Sequence, residues 1–275
     1  MSETYLLGVG SISGAGKDTF VYPLAYLLRS TGLNVGILST DDAYKNLSDR
    51  PKEERELLKF RRDLNFDHPD MIDFDKLIGF LQRIKRGEGF QYHKYDFPNH
   101  TYFPMLNDNA NETGTLEENL DVCIVQGIYA LYSGGAIGSR LISIYDKKYF
   151  INTLPEIALL RRVPRDINER GRELWDSIAQ LILTVIPMYY QYVLPTRQNA
   201  DQTFEWDTTE KIDPNEQKRA LAQIVREKAF TILSEISEKT KKSRTVPLLD
   251  PSLIKIPELL PSDIIERLRK IEIPS

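Results

Sequence analysis

The stretch LLGVGSISGAGKDT, residues 6–19, decides the fold that this sequence predicts. Its apolar first half predicts a buried strand that ends near Ile12, and apolar residues at helical spacing follow Thr19. Between the strand and the helix lies Ser13-Gly14-Ala15-Gly16-Lys17. In such a loop the glycines let backbone N–H groups turn toward an anion, and the lysine reaches its outer oxygens. Together with the dipole of the helix N-terminus, the stretch predicts a phosphate-binding loop.

The loop departs at two positions from the strict pattern G-x-x-x-x-G-K-[ST] of phosphate loops. Ser11 stands in place of the first glycine, and Asp18 stands in place of the hydroxyl residue that binds Mg²⁺. The letters G-A-G-K alone are also compatible with an ordinary turn between a strand and a helix. The position of the loop, after the first predicted strand and before the first helix, favours phosphate binding.

The length, composition and net charge of the chain limit the class of protein to which it can belong. A chain of 275 residues, 41% hydrophobic and 28% charged, suits one large globular domain or a domain with an appendage. Its formal net charge of −4 argues against nonspecific nucleic-acid or membrane binding. The single cysteine, Cys123, excludes a disulfide framework. We find no signal peptide and no apolar stretch near the roughly 18 residues of a membrane span. We therefore expect a cytoplasmic protein without nucleic-acid or membrane partners.

Later segments predict a parallel α/β sheet. Apolar runs at 34–39, 121–128, 149–152 and 203–206 predict further strands, which alternate with helical patterns. Such alternation gives right-handed crossovers, and ligands bind at the carboxyl ends of the strands. Asp41 and Asp42 follow the second strand, and Gln126 is the last polar residue of the run at 121–128. A helix N-cap is the alternative role for the two aspartates.

An aromatic segment at 89–104 predicts a β-ribbon with its turn at 97–99. The aromatic faces beside Asp96 and His100 suit stacking and hydrogen bonding to a planar heterocycle. Ordinary aromatic cross-strand pairs explain the same composition equally well. The residues that follow, 107–119, predict a polar loop.

The helical pattern at 156–192 is rich in arginine at its start. Five arginines fall within twelve residues: Arg161, Arg162, Arg165, Arg170 and Arg172. The nearby acids Asp166, Glu169 and Glu173 favour a solvated, ion-paired helix face. In a chain with a phosphate loop the arginines also suit phosphoryl transfer, which needs planar cationic donors around developing charge.

The chain beyond residue 205 predicts an appendage. Residues 206–245 contain an amphipathic helix at 218–238 and a basic linker, and 246–275 form a proline-containing tail of unknown role. The apolar residues of the tail are expected to dock on their own domain or on a partner chain. We therefore expect a main domain at 1–205, followed by the segments 206–245 and 246–275.

Seven motifs resemble the uridine kinases (uridine–cytidine kinases), within the wider phosphoribulokinase/uridine kinase group. They are SISGAGKDT, STDDAYK, NFDHPD, YDFPNH, VQGIYALY, RRVPRDINERGRE and YVLPTRQNAD, in the order and at the spacing of the family. The resemblance covers residues 5–205. It implies a P-loop NTPase-type parallel sheet flanked by helices, with the β-ribbon at 89–104 as a substrate-binding insertion and 161–190 as an arginine-rich helical lid.

The same resemblance implies an activity and its residues. The chain would phosphorylate the 5′-hydroxyl of a nucleoside, uridine or cytidine, with ATP and Mg²⁺ in pyrimidine salvage, as a homo-oligomer (dimer or tetramer). ATP would bind to Ser13, Gly14, Ala15, Gly16, Lys17, Asp18 and Thr19. The catalytic residues would be Asp41, which accepts the hydroxyl proton, together with Lys17, Arg165, Arg170 and Arg172. The nucleoside would contact Tyr44, Asp67, Tyr95, Phe97, His100, Arg162 and Gln180.

The resemblance implies metal ligands at Asp18, Thr19, Asp41 and Gln126. Gln126 replaces the glutamate that is usual in the family's E-G-I motif, and Tyr102 stands where the family often has an arginine. Because Asp18 adds the carboxylate that Gln126 lacks, the total charge of the metal site is unchanged. We hypothesise that Asp18 takes over part of the role of the missing glutamate.

Two other functions are compatible with the sequence. The chain fits a kinase of the same group that acts on a sugar phosphate or another small alcohol, although the aromatic segment favours an acceptor that carries a base. It also fits a catalytically weakened nucleotide-binding protein that works through its tail. Lys17, Asp41 and the lid arginines argue against that second alternative.

Overall fold

The structure is a computed structural model that describes residues 3–54, 64–97, 99, 101–102, 113–206, 213–240 and 244–255. The strands in these ranges are β1 (Tyr5–Ser11), β2 (Val35–Ser39), β3 (Phe90–His93), β4 (Tyr95–Asp96), β5 (Thr101–Tyr102), β6 (Thr113–Leu116), β7 (Val122–Gly127), β8 (Lys147–Asn152) and β9 (Gln202–Glu205). The longer helices are α1 (Lys17–Arg29), α2 (Phe74–Lys85), α3 (Gly135–Ile144), α4 (Pro155–Asn168), α5 (Leu174–Gln180) and α6 (Pro214–Thr240).

Five strands form a parallel central sheet in the order β2-β7-β1-β8-β9. β1 lies in the middle, where it pairs with β7 from Tyr5 to Gly10 and with β8 from Leu7 to Ser11. All seven residues of β1 are buried, which explains its continuous apolar run, because neither face of the strand meets solvent. The expected α/β class with a parallel sheet is confirmed.

The carboxyl ends of three neighbouring strands meet at one edge of this sheet. β1 continues into the glycine loop and α1, and β2 continues into a short 3₁₀ helix, Thr40–Ala43. Gln126, near the end of β7, lies opposite Val9 of β1 and opposite Ser39 of β2. The parallel register therefore places the glycine loop, the two aspartates and Gln126 side by side.

The aromatic segment forms two short antiparallel pairs. β4 pairs with β5, and the intervening turn includes Phe97, as the sequence predicts. β3 pairs with β6, so the expectation of a polar loop over 107–119 is wrong for 113–116. The physical reason is packing: Leu116 is buried, and Gly114 leaves room for the Tyr92 ring, which a Cβ would meet at 2.1 Å. Pro98, His100 and 103–112 lie outside the described residues.

The arginine-rich region and its apolar continuation are both helical. α4 carries the first arginines, and α5 opens a helical stretch that continues to Asn199. Beyond Gln180 this stretch widens into π-helical turns at Leu181–Val185 and Tyr189–Val193. Such turns are frequent at functional sites, and the first of them lies beside the cavity described below.

The stretch Leu174–Asn199 corrects the expectation that no segment approaches the length of a membrane span. By length and composition it is long and apolar enough to cross a membrane, and 33% of its most apolar window is buried. A core helix of a folded domain passes the same test, so this is weak evidence of a span. In this structure Gln180 and Thr184 of the stretch bond to Asp67.

The segment after the sheet packs on the sheet domain. Val225, Ala229 and Ile232 of α6 are fully buried, and α6 contacts α1. Beyond α6, the side chains of Leu249 and Ile254 join the same core. The described part of the tail therefore docks on its own chain.

Candidate active site

The loop between β1 and α1 has a backbone that glycine adopts most easily at two positions. Gly14 has φ +87° and Gly16 has φ +89°, both in the left-handed region. A Cβ on Gly14 would lie 2.2 Å from the carbonyl oxygen of Ala158 in α4. The loop is therefore in direct backbone contact with the arginine-bearing helix, and it ends at the anion-favouring N-terminus of α1.

Lys17 lies at the floor of the site. Its Nζ donates to Ser11 Oγ over 3.3 Å and to the carbonyl oxygen of Ile12 over 3.4 Å. Burial lowers the pKa of Lys17 to about 8; the lid arginines act in the same direction, and Asp41 opposes them. Ser11, which replaces the first glycine of the strict pattern, therefore helps to hold the lysine.

Ser39, rather than an aspartate, caps the 3₁₀ helix that follows β2. Its Oγ accepts a hydrogen bond from the backbone N–H of Asp41 over 3.2 Å. Asp42 accepts from the N–H of Tyr95 through Oδ1 over 3.1 Å, and burial raises the pKa of Asp42 to about 6. The capping alternative for the two aspartates is thus wrong, and the side chain of Asp41 lines the cavity that contains Lys17.

One cavity of about 530 Å³ brings together most of the predicted site residues. From the phosphate loop it is lined by Ser13, Gly14, Gly16, Lys17, Asp18 and Thr19. Its other predicted lining residues are Asp41, Tyr44, Asp67, Tyr95, Phe97, Gln126, Arg162, Arg165, Arg170, Arg172 and Gln180. Ala15 is buried, and its carbonyl oxygen accepts from Arg161 Nη1 over 3.3 Å. His100 lies outside the described residues.

Three aromatic rings form one wall of the cavity. Tyr44 and Tyr95 stack with centroids 5.0 Å apart, and Phe97 meets them edge-on at 5.8 and 5.1 Å. The Arg170 guanidinium lies over the Phe97 ring, 4.2 Å from its centroid. The cross-strand contact of Tyr95 with Tyr102 is also present, at 6.1 Å. The aromatic wall (Tyr44, Tyr95 and Phe97) thus joins the sheet side of the cavity to the lid.

The lid holds Asp67 through one of its two carboxylate oxygens. Asp67 Oδ2 accepts hydrogen bonds from Gln180 Nε2 over 3.1 Å and from Thr184 Oγ1 over 2.6 Å. Thr184 lies in the π-helical turn that follows Gln180, so both side chains reach the same oxygen. The other oxygen, Oδ1, is 3.9 Å from Arg162 Nη2.

Four lid arginines converge on Asp166, whose side chain is 1% exposed. The carboxylate is 3.2 Å from Arg162, 2.9 Å from Arg165, 3.5 Å from Arg170 and 3.2 Å from Arg172. Burial alone would raise the pKa of Asp166, but the arginines lower it below its usual range. The ion pairing that the sequence favours is present, but it lies in the wall of a cavity rather than on a solvated helix face.

Asp18 and Gln126, two of the departures from the family pattern, contact each other. Gln126 Nε2 donates to Asp18 Oδ1 over 2.6 Å. Gln126 Oε1 is buried and has no hydrogen-bond partner among the described residues. A carboxylate and an amide oxygen beside a phosphate loop fit Mg²⁺, which prefers oxygen ligands and takes only one or two protein carboxylates. In the described part of the chain, no group of three or more His, Cys, Asp or Glu side chains is placed to hold a metal.

The hydroxyl of Thr19 makes two hydrogen bonds within the protein. It donates to the carbonyl oxygen of Gly16 over 2.7 Å and accepts from Trp206 Nε1 over 2.9 Å. Trp206 is fully buried just after β9, and its carbonyl oxygen accepts from Arg161 Nη1 over 3.3 Å. In this structure Thr19 therefore braces the loop, and one lone pair of its oxygen is left for a metal.

Three residues that support the site carry no functional prediction from the sequence: Asp166, Thr184 and Trp206. Asp166 has a usable signal, because it lies four residues after Arg162 and four before Arg170 in a helical pattern. The other two act on partners far away in the chain; Thr184 is 117 residues from Asp67, and Trp206 is 187 residues from Thr19. No local pattern reveals such contacts.

The parallel sheet, the glycine loop between β1 and α1 and the arginine-rich lid together define a P-loop kinase. The model of the phosphoribulokinase / uridine kinase family matches residues 6–213. The chain belongs to this family. The match includes every strand of the sheet and the lid, and it ends before α6.

Relatives agree with this assignment, and a solved structure has a similar fold. The uridine kinase of Leuconostoc citreum is 36% identical over 196 residues, which cover 71% of this chain and 84% of the relative. The uridine kinase of Macrococcus caseolyticus is 35% identical over 201 residues, which cover 73% and 87%. Phosphoribulokinase from Rhodobacter spheroides has a TM-score of 0.54 at 12% identity, over 74% of this chain and 70% of that one, which is a likeness of fold.

Proposed function

We propose that this kinase transfers the terminal phosphoryl group of ATP to the 5′-hydroxyl of a nucleoside, with uridine and cytidine as the expected acceptors. One observation carries the proposal: the phosphate loop, Asp41, the aromatic wall and the lid arginines line a single cavity of about 530 Å³. The volume is in the ordinary range for small-molecule sites. The relatives named as uridine kinases support the same class of acceptor.

Asp41 is the proposed general base. It would accept the proton of the acceptor hydroxyl as the new O–P bond forms, while the bond from the terminal phosphorus to the bridging oxygen breaks and ADP leaves. Asp41 is close enough to Lys17 to favour the charged form of the lysine.

The lid arginines would stabilise the charge that develops on the phosphoryl oxygens. Arg165, Arg170 and Arg172 present planar donors to the same cavity as Lys17. Phosphoryl transfer depends mainly on such positioning and charge stabilisation. The contact between Arg170 and Phe97 connects the lid to the aromatic wall, and a closed lid would exclude water as a competing acceptor.

The nucleoside would bind between the aromatic wall and Asp67. The wall offers ring faces and edges on which a base can stack. Because Oδ2 of Asp67 is held by the lid, Oδ1 is the oxygen that would accept a hydrogen bond from a ribose hydroxyl. Arg162 and Gln180 line the same region and would contact the nucleoside from the lid.

Asp18 and Gln126 are the side chains that would hold Mg²⁺, with Asp41 and Thr19 as further ligands from the same cavity. The unpartnered Oε1 of Gln126 supports this role, because a buried acceptor without a donor suits a cation. The bound ion would neutralise part of the negative charge of the ATP phosphates.

A kinase that acts on a sugar phosphate or another small alcohol is the second candidate, since the family also contains phosphoribulokinases. The aromatic wall opposes it, because a sugar phosphate has no planar ring to stack. A nucleotide-binding protein without catalysis is a third candidate; it is opposed by the presence of Asp41 and Lys17 in one cavity.

An acceptor screen tests the proposal. Pyrimidine nucleosides, purine nucleosides and sugar phosphates are each supplied with ATP and Mg²⁺, and ADP and the phosphorylated product are measured. We expect product with uridine or cytidine, and a loss of at least about 100-fold in kcat for Asp41→Asn. Asp42→Asn, the matched control one residue away, should keep most of the activity. Phosphorylation of a sugar phosphate but of no nucleoside would show that the acceptor is a sugar phosphate. ATP binding without any product would favour the non-catalytic alternative.

A further inference from the structure

Asp166 lies at the centre of the cluster of four lid arginines. It belongs to the last turn of α4, and each of its oxygens serves two arginines. Oδ2 is closest to Arg162 and Arg172, and Oδ1 is closest to Arg165 and Arg170. A single carboxylate therefore sets the spacing of four guanidinium groups that all line the cavity.

The arginines need such a partner because they repel one another. Burial, together with Arg165, lowers the pKa of Arg170 to about 10, and Asp166 opposes this shift. Four arginines and one carboxylate leave a formal charge of +3 on the cluster. Without the carboxylate the charge would be +4, and nothing among the described residues would tie the four side chains to one point.

Asp166 engages N–H donors of the kind that a phosphate would use. Guanidinium groups bind carboxylates and phosphates through the same planar donors. A polyphosphate that enters the cavity would therefore share the four arginines with Asp166, and it would experience the repulsion of the carboxylate. Both effects weaken the binding of a phosphate chain before any transfer occurs.

We propose that Asp166 is a positioning residue that holds the four arginines in a fixed array and limits the affinity of the cavity for the phosphates of the bound nucleotide. The proposal rests on the phosphoryl-transfer function proposed above. Interactions raise the rate only when they are stronger in the transition state than in the ground state. The array that Asp166 sets favours the transferring group, and its charge opposes excessive binding of substrate and product phosphates.

Removal of the Asp166 charge should change the affinity for tripolyphosphate and the turnover rate in opposite directions. For Asp166→Asn, which keeps the size of the side chain, we expect tripolyphosphate to bind about tenfold more tightly in calorimetry, because one repulsive charge within several ångströms is lost. We expect kcat with the best acceptor to fall about 100-fold, because the array is no longer held. A purely structural role would weaken binding and rate together.

Two further variants make the test decisive. Asp166→Glu keeps the charge but moves it by one methylene, so we expect slower turnover at an unchanged affinity for tripolyphosphate. This variant also tests the proposal if Asp166→Asn does not fold. Glu156→Gln removes an exposed carboxylate from the first turn of the same helix, and both quantities should be unchanged.

Folded Asp166→Asn protein with unchanged or weaker tripolyphosphate binding would overturn the proposal. Unchanged turnover in both Asp166 variants would overturn it as well. Tripolyphosphate binding needs no acceptor, so failure of this proposal is distinguishable from failure of the nucleoside assignment, which the acceptor screen tests.

Discussion

At the scale of single residues, the two aspartates after β2 have different environments although they are neighbours. Asp41 lines the cavity with Lys17, whereas Asp42 is turned to the backbone of Tyr95 and has its pKa raised to about 6 by burial. The sequence identifies the pair, but the choice between them depends on which way the 3₁₀ turn faces. The cap supplied by Ser39 fixes that direction, and it was not predictable from the letters S-T-D-D alone.

Lys17 should make nucleotide binding depend on pH. With its pKa lowered to about 8, Lys17 is charged below that pH and loses its proton above it. The affinity for a non-hydrolysable ATP analogue, measured by calorimetry with Mg²⁺, should therefore fall as the pH rises from 7.5 to 9.5, by about tenfold. At pH 8.5 binding should take up a proton, because the phosphates favour the charged lysine.

Lys17→Arg is the matched control for this prediction. Arginine stays protonated over the whole range, so its affinity for the analogue should not change between pH 7.5 and 9.5. The same flat profile in the unaltered protein would show that Lys17 keeps its proton throughout.

We expect Mg²⁺ binding to need one carboxylate, which either position 18 or position 126 can supply. Asp18→Ser removes the carboxylate, so the gain in ATP-analogue affinity on addition of Mg²⁺ should fall by about tenfold. The double variant Asp18→Ser/Gln126→Glu moves the carboxylate to the end of β7 and should recover most of that gain. The measurement is analogue binding with and without Mg²⁺, which requires no turnover. A full gain in Asp18→Ser alone would contradict the role of Asp18.

At the scale of secondary structure elements, the site depends on contacts between elements that are distant in sequence. The glycine loop touches α4 through Gly14 and Ala158, and it touches the end of β9 through Thr19 and Trp206. The sequence predicts the loop, the strands of the central sheet and the helix of the arginine-rich region correctly. It does not predict these contacts, because no periodicity or motif encodes which helix a loop will meet.

Gly14→Ala tests the contact between the loop and the lid. The substitution strains a left-handed residue by about 1–2 kcal/mol and forces a Cβ to within 2.2 Å of the Ala158 carbonyl oxygen. We expect a loss of more than about 2 kcal/mol in the free energy of unfolding, because the clash adds to the strain. We also expect a large loss of kcat/KM.

Gly32→Ala is the matched control for Gly14→Ala. Gly32 has φ +82° and no atom within 4 Å of a built Cβ, so it has the strain without the clash. It should lose only about 1 kcal/mol of stability and keep its kcat/KM. Equal effects of the two substitutions on kcat/KM would show that the loop–lid contact is unimportant.

At the scale of the whole molecule, the chain extends the family domain with a helix that shares its core. The family match ends at residue 213, but α6 buries Val225, Ile232 and Leu233 in the same cluster as the sheet. The five parallel strands and the lid were predictable, because buried strands and helices leave clear patterns in sequence. The docking of α6 was not, because an amphipathic pattern shows that a helix has an apolar face and not what covers it.

Ile232→Ala should lower the stability of the whole kinase domain. The side chain is fully buried, so its truncation should lower the free energy of unfolding by about 2–5 kcal/mol, measured by denaturant titration. Phe230→Ala, on the exposed side of the same helix, should change it by less than about 0.5 kcal/mol. A small effect of Ile232→Ala would mean that α6 unfolds independently of the sheet.

The hydrogen bond from Trp206 to Thr19 places one indole ring next to the phosphate loop. The chain has two tryptophans, and the other, Trp175, is exposed on the lid. Selective excitation of tryptophan in a Trp175→Phe variant would therefore produce fluorescence from a single indole, that of Trp206 at the loop. Its emission spectrum gives a label-free optical signal for occupancy of the loop, available in the stopped flow without any attached dye.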